Sequence, residues 1–213
     1  MDGCQGISDS PSNPAREGTA TRIRAATSED AEAIAQVIID TWRDAYRGMV
    51  PDAVLANLSH QEFTANYRQA LEKPQTGVLM TLVAEDERGQ VVGVVSTAPA
   101  VDSDAPYTVQ IRVLYVLPAY QGRRMGRALV QTAAERFVAR GHNAMVIWVL
   151  EANIPARRFY EALDGQLVGE RTREILSFVA HEVAYGWPDL TGWLSHESRA
   201  AHPGSHEPCS DDC

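Results

Sequence analysis

The sequence predicts an α/β fold in which a mixed, mostly antiparallel sheet contains one central pair of parallel strands and carries helices on both faces. Two continuous apolar runs, residues 114–117 and 144–150, have the length of strands covered on both faces. A helical pattern at residues 125–137 lies between them, so these segments form a β-α-β unit whose strands run parallel. Alternating segments joined by turns flank the unit and predict antiparallel neighbours.

The chain opens its predicted fold with a strand and a long helix. Residues 21–25 alternate as a short strand, and Thr27 or Ser28 then caps the helix. Apolar side chains recur along this helix at a spacing of three and four residues, which is typical of one buried face. That face consists of Ile34, Val37, Ile38, Trp42 and Tyr46.

Two shorter helices and a hairpin follow. Pro51 is tolerated in the first turn of a short helix, and Ser59 caps the next helix at residues 61–72. Residues 78–84 and 91–98 are rich in valine and are joined by a tight turn that ends in glycine, so they predict a β-hairpin.

The strand at residues 108–117 changes its pattern along its length. Val109, Ile111 and Val113 alternate with polar residues, whereas every residue from Leu114 to Leu117 is apolar or aromatic. This change is compatible with a β-bulge, and burial on both faces explains it equally well.

One more helix and two closing strands complete the predicted fold. Asn153 caps the helix, Pro155 lies in its first turn and Gly165 ends it. Residues 167–174 and 178–185 then predict two strands. We expect one domain over residues 21–190, between a disordered arm at residues 1–20 and a flexible polar tail at residues 191–213.

The net charge of −9 argues against a nucleic-acid surface and fits a cationic acceptor. No apolar run approaches the length of a membrane helix, so no membrane partner is expected. Cys4, Cys209 and Cys213 lie only at the ends of the chain, which favours a reducing, cytoplasmic setting. His202, His206, Cys209 and Cys213 are ligand types that zinc accepts, but their short spacing favours a tail without metal.

Three arginines crowd the start of the central helix: Arg123, Arg124 and Arg127. Cations there oppose the helix dipole, so the arrangement costs stability unless an anion occupies the site. Unpaired backbone amides, the dipole and guanidinium groups together form a phosphate cradle. The alternative is three exposed arginines on a surface helix.

The stretch around these arginines resembles the coenzyme A loop of the GNAT superfamily of N-acetyltransferases. The match is carried by Gln121, Gly122, Arg123, Arg124, Met125 and Gly126. Arg124 stands where the first glycine of the family pattern is usual. A shifted register from Arg123 to Ala128 also matches, but the first register keeps the usual distance from Pro118.

The segment from Trp148 to Glu161 resembles a second GNAT motif. The resemblance implies that Tyr160 protonates the departing thiolate, that Asn153 contacts coenzyme A or holds the helix start, and that the Val116 N–H stabilises the oxyanion. Residue types alone leave Tyr160 open as a core residue and Asn153 as a simple cap. The implied coenzyme A contacts are Leu114, Tyr115, Val116, Gln121, Gly122, Arg123, Arg124, Met125, Gly126, Arg127 and Asn153.

The resemblance implies direct transfer of an acetyl group from acetyl-CoA to a small-molecule or peptide amine, with no metal, and leaves a homodimer open. Many relatives have a glutamate where this chain has Gln110, which cannot act as a base. The base is therefore unassigned, with Glu151 the nearest carboxylate in the motif region. Trp42 and Tyr46 are expected to be core residues. The alternatives are an acyl-CoA sensor without turnover and a mononucleotide-binding protein, although the chain lacks the Lys-Ser/Thr ending of a P-loop.

Overall fold

The structure, a computed structural model, describes residues 22–75, 77–101, 106–175 and 178–201 of the 213-residue chain. Within these residues there are seven strands and six α-helices. The strands are β1 (Arg22–Ala25), β2 (Thr81–Glu85), β3 (Val91–Pro99), β4 (Val109–Val116), β5 (Met145–Leu150), β6 (Gln166–Ile175) and β7 (Phe178–Trp187). The helices are α1 (Ala31–Ala45), α2 (Asp52–Ala56), α3 (His60–Glu72), α4 (Met125–Val138), α5 (Ile154–Glu161) and α6 (Leu190–Ala201).

The strands form one sheet in the order β1-β2-β3-β4-β5-β7-β6. The β4–β5 pair is parallel, and every other neighbouring pair is antiparallel. This arrangement confirms the predicted fold class and the β4-α4-β5 unit. The strand β2 begins at Thr81 rather than at residue 78, and the N–H of Met80 donates to the Thr97 hydroxyl at 3.2 Å.

Helices cover both faces of the sheet. Ile34 of α1 and Leu71 of α3 belong to the apolar cluster on one face, whereas Leu129 of α4 belongs to the cluster on the other. Neighbouring residues of β2 divide between the clusters, with Leu82 in one and Val83 in the other. This division follows from the alternation of side chains along a strand.

The helix α6 corrects the expected polar tail, because the chain is helical to Ala201. Leu190 and Trp193 are buried in the main core, and Asp189 accepts a hydrogen bond from Gly192 N at 3.0 Å in the first turn. The apolar spacing was present in the sequence, but Gly192 and the surrounding polar residues obscured it. Packing against α4 supplies the stability that local propensity lacks.

Some sequence expectations lie outside the described residues. They concern the arm at residues 1–20 and the possible zinc ligands His202, His206, Cys209 and Cys213. Within the described part of the chain, no helix has the length and apolar character that crossing a membrane requires.

Candidate active site

The parallel strands β4 and β5 separate after a short pairing. Residues 109–111 of β4 pair with residues 145–147 of β5. Directly after this pairing, β4 contains one extra residue relative to β3. There β3 pairs Ser96 with Val113 and Thr97 with Ile111, which leaves Arg112 as the inserted residue. A bulge of this kind bends its strand and increases the twist. A cavity of about 490 Å³, called the central cavity below, lies where the two strands have parted.

The backbone of Val116 faces the gap between the separated strands. Leu117 N donates to Val92 O at 2.9 Å, so Leu117 directs its backbone groups toward β3. Because these directions alternate along a strand, the N–H of Val116 points away from β3 and into the gap. The side-chain amide of Gln121 donates to Val116 O at 3.0 Å. The N–H of Val116 therefore lies in the wall of the central cavity.

The turn before α4 borders the same cavity. Gly122 and Arg124 have positive φ angles of 73° and 64°, and α4 begins at the next residue, Met125. The first helical hydrogen bond is donated by Ala128 N to Arg124 O at 3.0 Å. The N–H groups of the three preceding residues therefore have no acceptor within the helix, and the helix dipole adds positive potential there. This geometry suits an anionic group.

The three arginines at this helix start have different surroundings. The Arg123 guanidinium lies over the Tyr120 ring, 5.3 Å from its centroid. The Arg124 side chain is exposed, and its guanidinium makes no hydrogen bond or ion pair with the described residues. Arg127 forms an ion pair with the buried carboxylate of Glu197 on α6 and donates to Ala162 O at 3.1 Å. The expected cluster of three free guanidinium groups is thus reduced, because Arg127 holds α6 against α4.

All of the predicted site residues except Arg123 line the central cavity. They are Leu114, Tyr115, Val116, Gln121, Gly122, Arg124, Met125, Gly126, Arg127, Asn153 and Tyr160.

Replacing Arg124 by glycine should stabilise the free protein by about 0.5–1 kcal/mol. The left-handed conformation costs a non-glycine residue about 1–2 kcal/mol, and the greater freedom of glycine in the unfolded chain offsets part of the gain. Arg124→Ala removes the same charge but keeps the unfavourable φ, so it should not stabilise. Urea unfolding measures both free energies. If the alanine variant gained as much stability as the glycine variant, relief of backbone strain at Arg124 would not be the cause of the stabilisation.

Tyr160 is buried on α5, with 6% of its surface exposed at the central cavity. Its hydroxyl makes no hydrogen bond with the described residues. Burial, together with the neighbouring Tyr46, raises the pKa of Tyr160 well above the ordinary tyrosine value of about 10. The phenol therefore stays protonated at neutral pH and can donate a proton or a hydrogen bond to a group in the cavity.

Asn153 and two further tyrosines complete the interior of the site. Asn153 caps α5 by accepting a hydrogen bond from Ala156 N at 3.1 Å, so the simple structural role is present. Tyr46 lines the cavity, and its hydroxyl is 3.3 Å from that of Tyr115. Trp42 Nε1 donates to the Tyr115 hydroxyl at 2.9 Å. Burial is the main cause that raises the pKa values of Tyr46 and Tyr115, so both phenols are neutral near pH 7.

Comparison with known proteins identifies the family. The model described as the acetyltransferase (GNAT) family matches residues 35–165 of the chain. The chain belongs to the GNAT acetyltransferase family. A Bacillus subtilis protein called uncharacterized N-acetyltransferase YuaI is 35% identical over 169 residues, which cover 79% of this chain and 94% of that protein. A Mycobacterium tuberculosis protein named as a probable N-acetyltransferase is 29% identical over 70% of this chain and 81% of its own length.

Solved structures share the GNAT fold. PaiA N-acetyltransferase from Thermoplasma acidophilum, in complex with coenzyme A, has a TM-score of 0.61 at 16% identity, over 79% of this chain and 99% of that one. YncA from Salmonella typhimurium, with acetyl-CoA, has a TM-score of 0.61 at 23% identity, over 81% of this chain and 95% of that one. At these identities the similarity concerns the fold.

This GNAT protein has a second cavity of about 420 Å³ beside the central one, called the side cavity below. Tyr46, Tyr115, Arg112, Trp148 and Val149 line both cavities, so the two spaces meet at these residues. Trp42 was expected to be a core residue rather than a substrate contact. It packs against the core and also lines the side cavity, so the two roles do not exclude each other.

Gln110, which stands where many relatives have a glutamate, has a structural role in this chain. The Gln110 side chain is buried and donates to Pro99 O at 2.8 Å, so it braces β4 against the end of β3. Glu151 is exposed just after β5 and lines neither cavity. Neither residue therefore offers a carboxylate to the space between the strands.

Sequence reasoning missed the charged residues that β6 and β7 bring to the side cavity. Glu182 of β7 is 5% exposed and is paired with Arg171 and Arg173 of β6. The available signal was an acid, next to His181, inside the largely apolar segment of β7. Periodicity alone could not indicate that this edge of the sheet contributes charged residues to the side cavity.

Proposed function

We propose that this protein transfers an acetyl group from acetyl-CoA directly to a primary amine of a small molecule or peptide, with Tyr160 as the general acid. One observation supports the proposal most strongly: the unpaired amides before Ala128, the N–H of Val116 and the phenol of Tyr160 line one cavity between separated strands. The cavity and its amides fit a diphosphate joined to a thioester arm.

Each group has one task in this reaction. Acetyl-CoA, as cosubstrate, supplies an activated acetyl group. The N–H of Val116 donates to the carbonyl oxygen, which gains negative charge as the amine adds to the carbon. As the C–S bond breaks, Tyr160 donates its proton to the sulfur. The amine nitrogen releases one proton to the solvent, and one proton from the solvent restores the Tyr160 hydroxyl. The products are an amide and a free thiol, so atoms and charges balance.

The second candidate is an acyl-CoA sensor without turnover. It is favoured by Gln110, because the position that holds a base in many relatives carries an amide engaged with Pro99. The sensor would bind acetyl-CoA and release no thiol with any amine. We also propose a cytoplasmic location, on the distribution of the three cysteines.

Binding and turnover together test the proposal. Acetyl-CoA at 100 times its Kd should stabilise the protein by about 2.7 kcal/mol, which raises Tm by about 5–10 °C. Acetylpantetheine, which has the thioester but no diphosphate, should produce a much smaller shift. An amine library should then reveal thiol release with an acetylated product of matching mass. No shift with acetyl-CoA would contradict both candidate functions.

A further inference from the structure

The side chains that line the side cavity carry more positive than negative charge. Arg112, Arg171 and Arg173 line it together with a single carboxylate, Glu182, so the described lining carries an excess of two positive charges. This local balance is opposite to the net charge of −9 for the whole chain, from which a cationic acceptor was expected. Because charges act most strongly at close range, the charges that line the cavity, rather than the net charge of the chain, decide which ligand is favoured there.

Glu182 is already compensated by two of these arginines. Arg173 donates to both carboxylate oxygens, at 2.7 and 3.2 Å, and Arg171 Nε donates at 2.8 Å. Burial alone would raise the pKa of Glu182, but the hydrogen bonds and charges of the two arginines outweigh it and lower the pKa. The guanidinium of Arg171 is also held over the Trp148 ring, 3.9 Å from its centroid. Glu182 is therefore a poor attachment point for a substrate ammonium group.

Among the described cations that line the side cavity, Arg112 is the one whose guanidinium has no carboxylate partner. It is the inserted residue of the β4 bulge, it is exposed, and its guanidinium makes no hydrogen bond or ion pair with the described residues. It lines both the central and the side cavity. Burial raises the pKa of Tyr67 in the side cavity, and the hydrogen bond with Ser96 and the charge of Arg112 oppose that rise. A guanidinium with free donors at such a junction suits a carboxylate.

The rest of the lining is largely apolar and aromatic. Ile38 and Trp42 of α1, Phe63 of α3 and Phe178 of β7 contribute to the walls of the side cavity. A ligand that fills it should therefore have an apolar body as well as an anionic group.

We infer that the acceptor of this enzyme is an amine that carries a carboxylate on an apolar body, as hydrophobic amino acids do, and that Arg112 binds the carboxylate. The inference rests on the proposed function, since it names the acceptor class of the same site. The positive lining also lowers the pKa of an amine held there, which favours the neutral, nucleophilic form where Gln110 replaces a base.

Matched acceptors test this inference directly. The full-length protein is assayed for thiol release with hydrophobic L-amino acids, with the carboxamide of each, and with spermidine. We expect kcat/KM for the preferred carboxylate acceptor to exceed that of its carboxamide by about ten-fold or more, the range of one charge-assisted contact. The amine of the carboxamide is less basic and more often neutral, which biases the comparison against this result. A preference for carboxamides or spermidine would overturn the inference.

Variants assign the effect to Arg112. Arg112→Met should raise KM for the carboxylate acceptor by about ten-fold or more while its carboxamide stays within about two-fold, and Arg112→Lys should restore part of the difference. Arg136→Met, which removes a charge that lines neither cavity, is the matched control. An equal loss with both acceptors in Arg112→Met would contradict direct recognition of the carboxylate.

Binding without turnover separates this inference from the proposed function. Calorimetry on the coenzyme A-loaded protein compares N-acetyl amino acids with their carboxamides. Tighter carboxylate binding that depends on Arg112, without thiol release from any amine, would support the anion site and contradict the transferase. Thiol release with spermidine or carboxamides, without carboxylate binding, would support the transferase and overturn the anion site.

Discussion

Replacing Tyr160 by phenylalanine should lower kcat about 100-fold while the affinity for acetyl-CoA stays within about two-fold. The substitution keeps the ring that packs inside the central cavity and removes only the hydroxyl, which makes no hydrogen bond with the described residues. Folding should therefore be little affected. A positioned general acid contributes at least about 100-fold, or roughly 2.7 kcal/mol of barrier. Thiol release under saturating acceptor measures kcat, and calorimetry measures the affinity.

Tyr185→Phe is the matched control for this experiment. Tyr185 is also buried and lies beside Tyr160, with ring centroids 5.8 Å apart, but its hydroxyl donates to Glu161 at 2.6 Å and lines neither cavity. Its loss should change kcat by less than about three-fold. An unchanged kcat in Tyr160→Phe would mean that another group protonates the sulfur, whereas the absence of thiol release in the wild-type protein would favour the sensor.

The pH dependence of the wild-type enzyme follows from the same phenol. Because the pKa of Tyr160 is raised, its proton stays on as the pH rises through 9. The value of kcat/KM should therefore rise as the acceptor amine loses its proton and should not fall before about pH 10. A lowered pKa would instead give a decline on the alkaline side within this range.

Leu129→Ala should cost about 3–5 kcal/mol of the free energy of unfolding. Leu129 is fully buried on α4, and its Cδ1 lies 3.2 Å from the position that a Cβ on Gly93 would occupy, so it packs directly on the β3 backbone. Gly93 is paired with Val116, whose N–H faces the site. Truncation removes buried methyl groups and leaves a cavity beneath these strands. Urea unfolding monitored by tryptophan fluorescence measures the loss.

Glu135→Ala provides the reference for that loss. Glu135 lies on the exposed side of the same helix, and alanine is the better helix former, so stability should change by less than about 0.5 kcal/mol. A cost of less than about 1 kcal/mol for Leu129→Ala would show that the core can collapse around the truncated side chain.

Local patterns were sufficient to predict most of the fold. The apolar runs of β4 and β5 with the helical stripe of α4 between them predicted the parallel pair, because chain connectivity leaves few alternatives. Ser59 and Asn153 accept the hydrogen bonds expected of helix caps, from Glu62 N at 3.2 Å and Ala156 N at 3.1 Å. Each of these features depends on residues close together in sequence.

The candidate site was predictable to the extent that its residues fall in two short motifs. The residues of the turn before α4, together with Asn153 and Tyr160, were named from the sequence, and all of them except Arg123 line one cavity. Arg124 departs from the motif, which usually has glycine at this position. The structure shows why glycine is suited to it, since Arg124 adopts a positive φ.

The sequence by itself determined the β-α-β unit, the separation of polar from apolar faces and the turn that precedes α4. Tertiary structure decided the rest: α6 packs on the core, Arg127 pairs with Glu197, and Glu182 meets Arg171 and Arg173 beside the bulge at Arg112. The physical reason is the separation along the chain of the residues that interact. Capping and periodicity act between residues a few positions apart, whereas an ion pair or a cavity wall depends on which distant segments the sheet brings together.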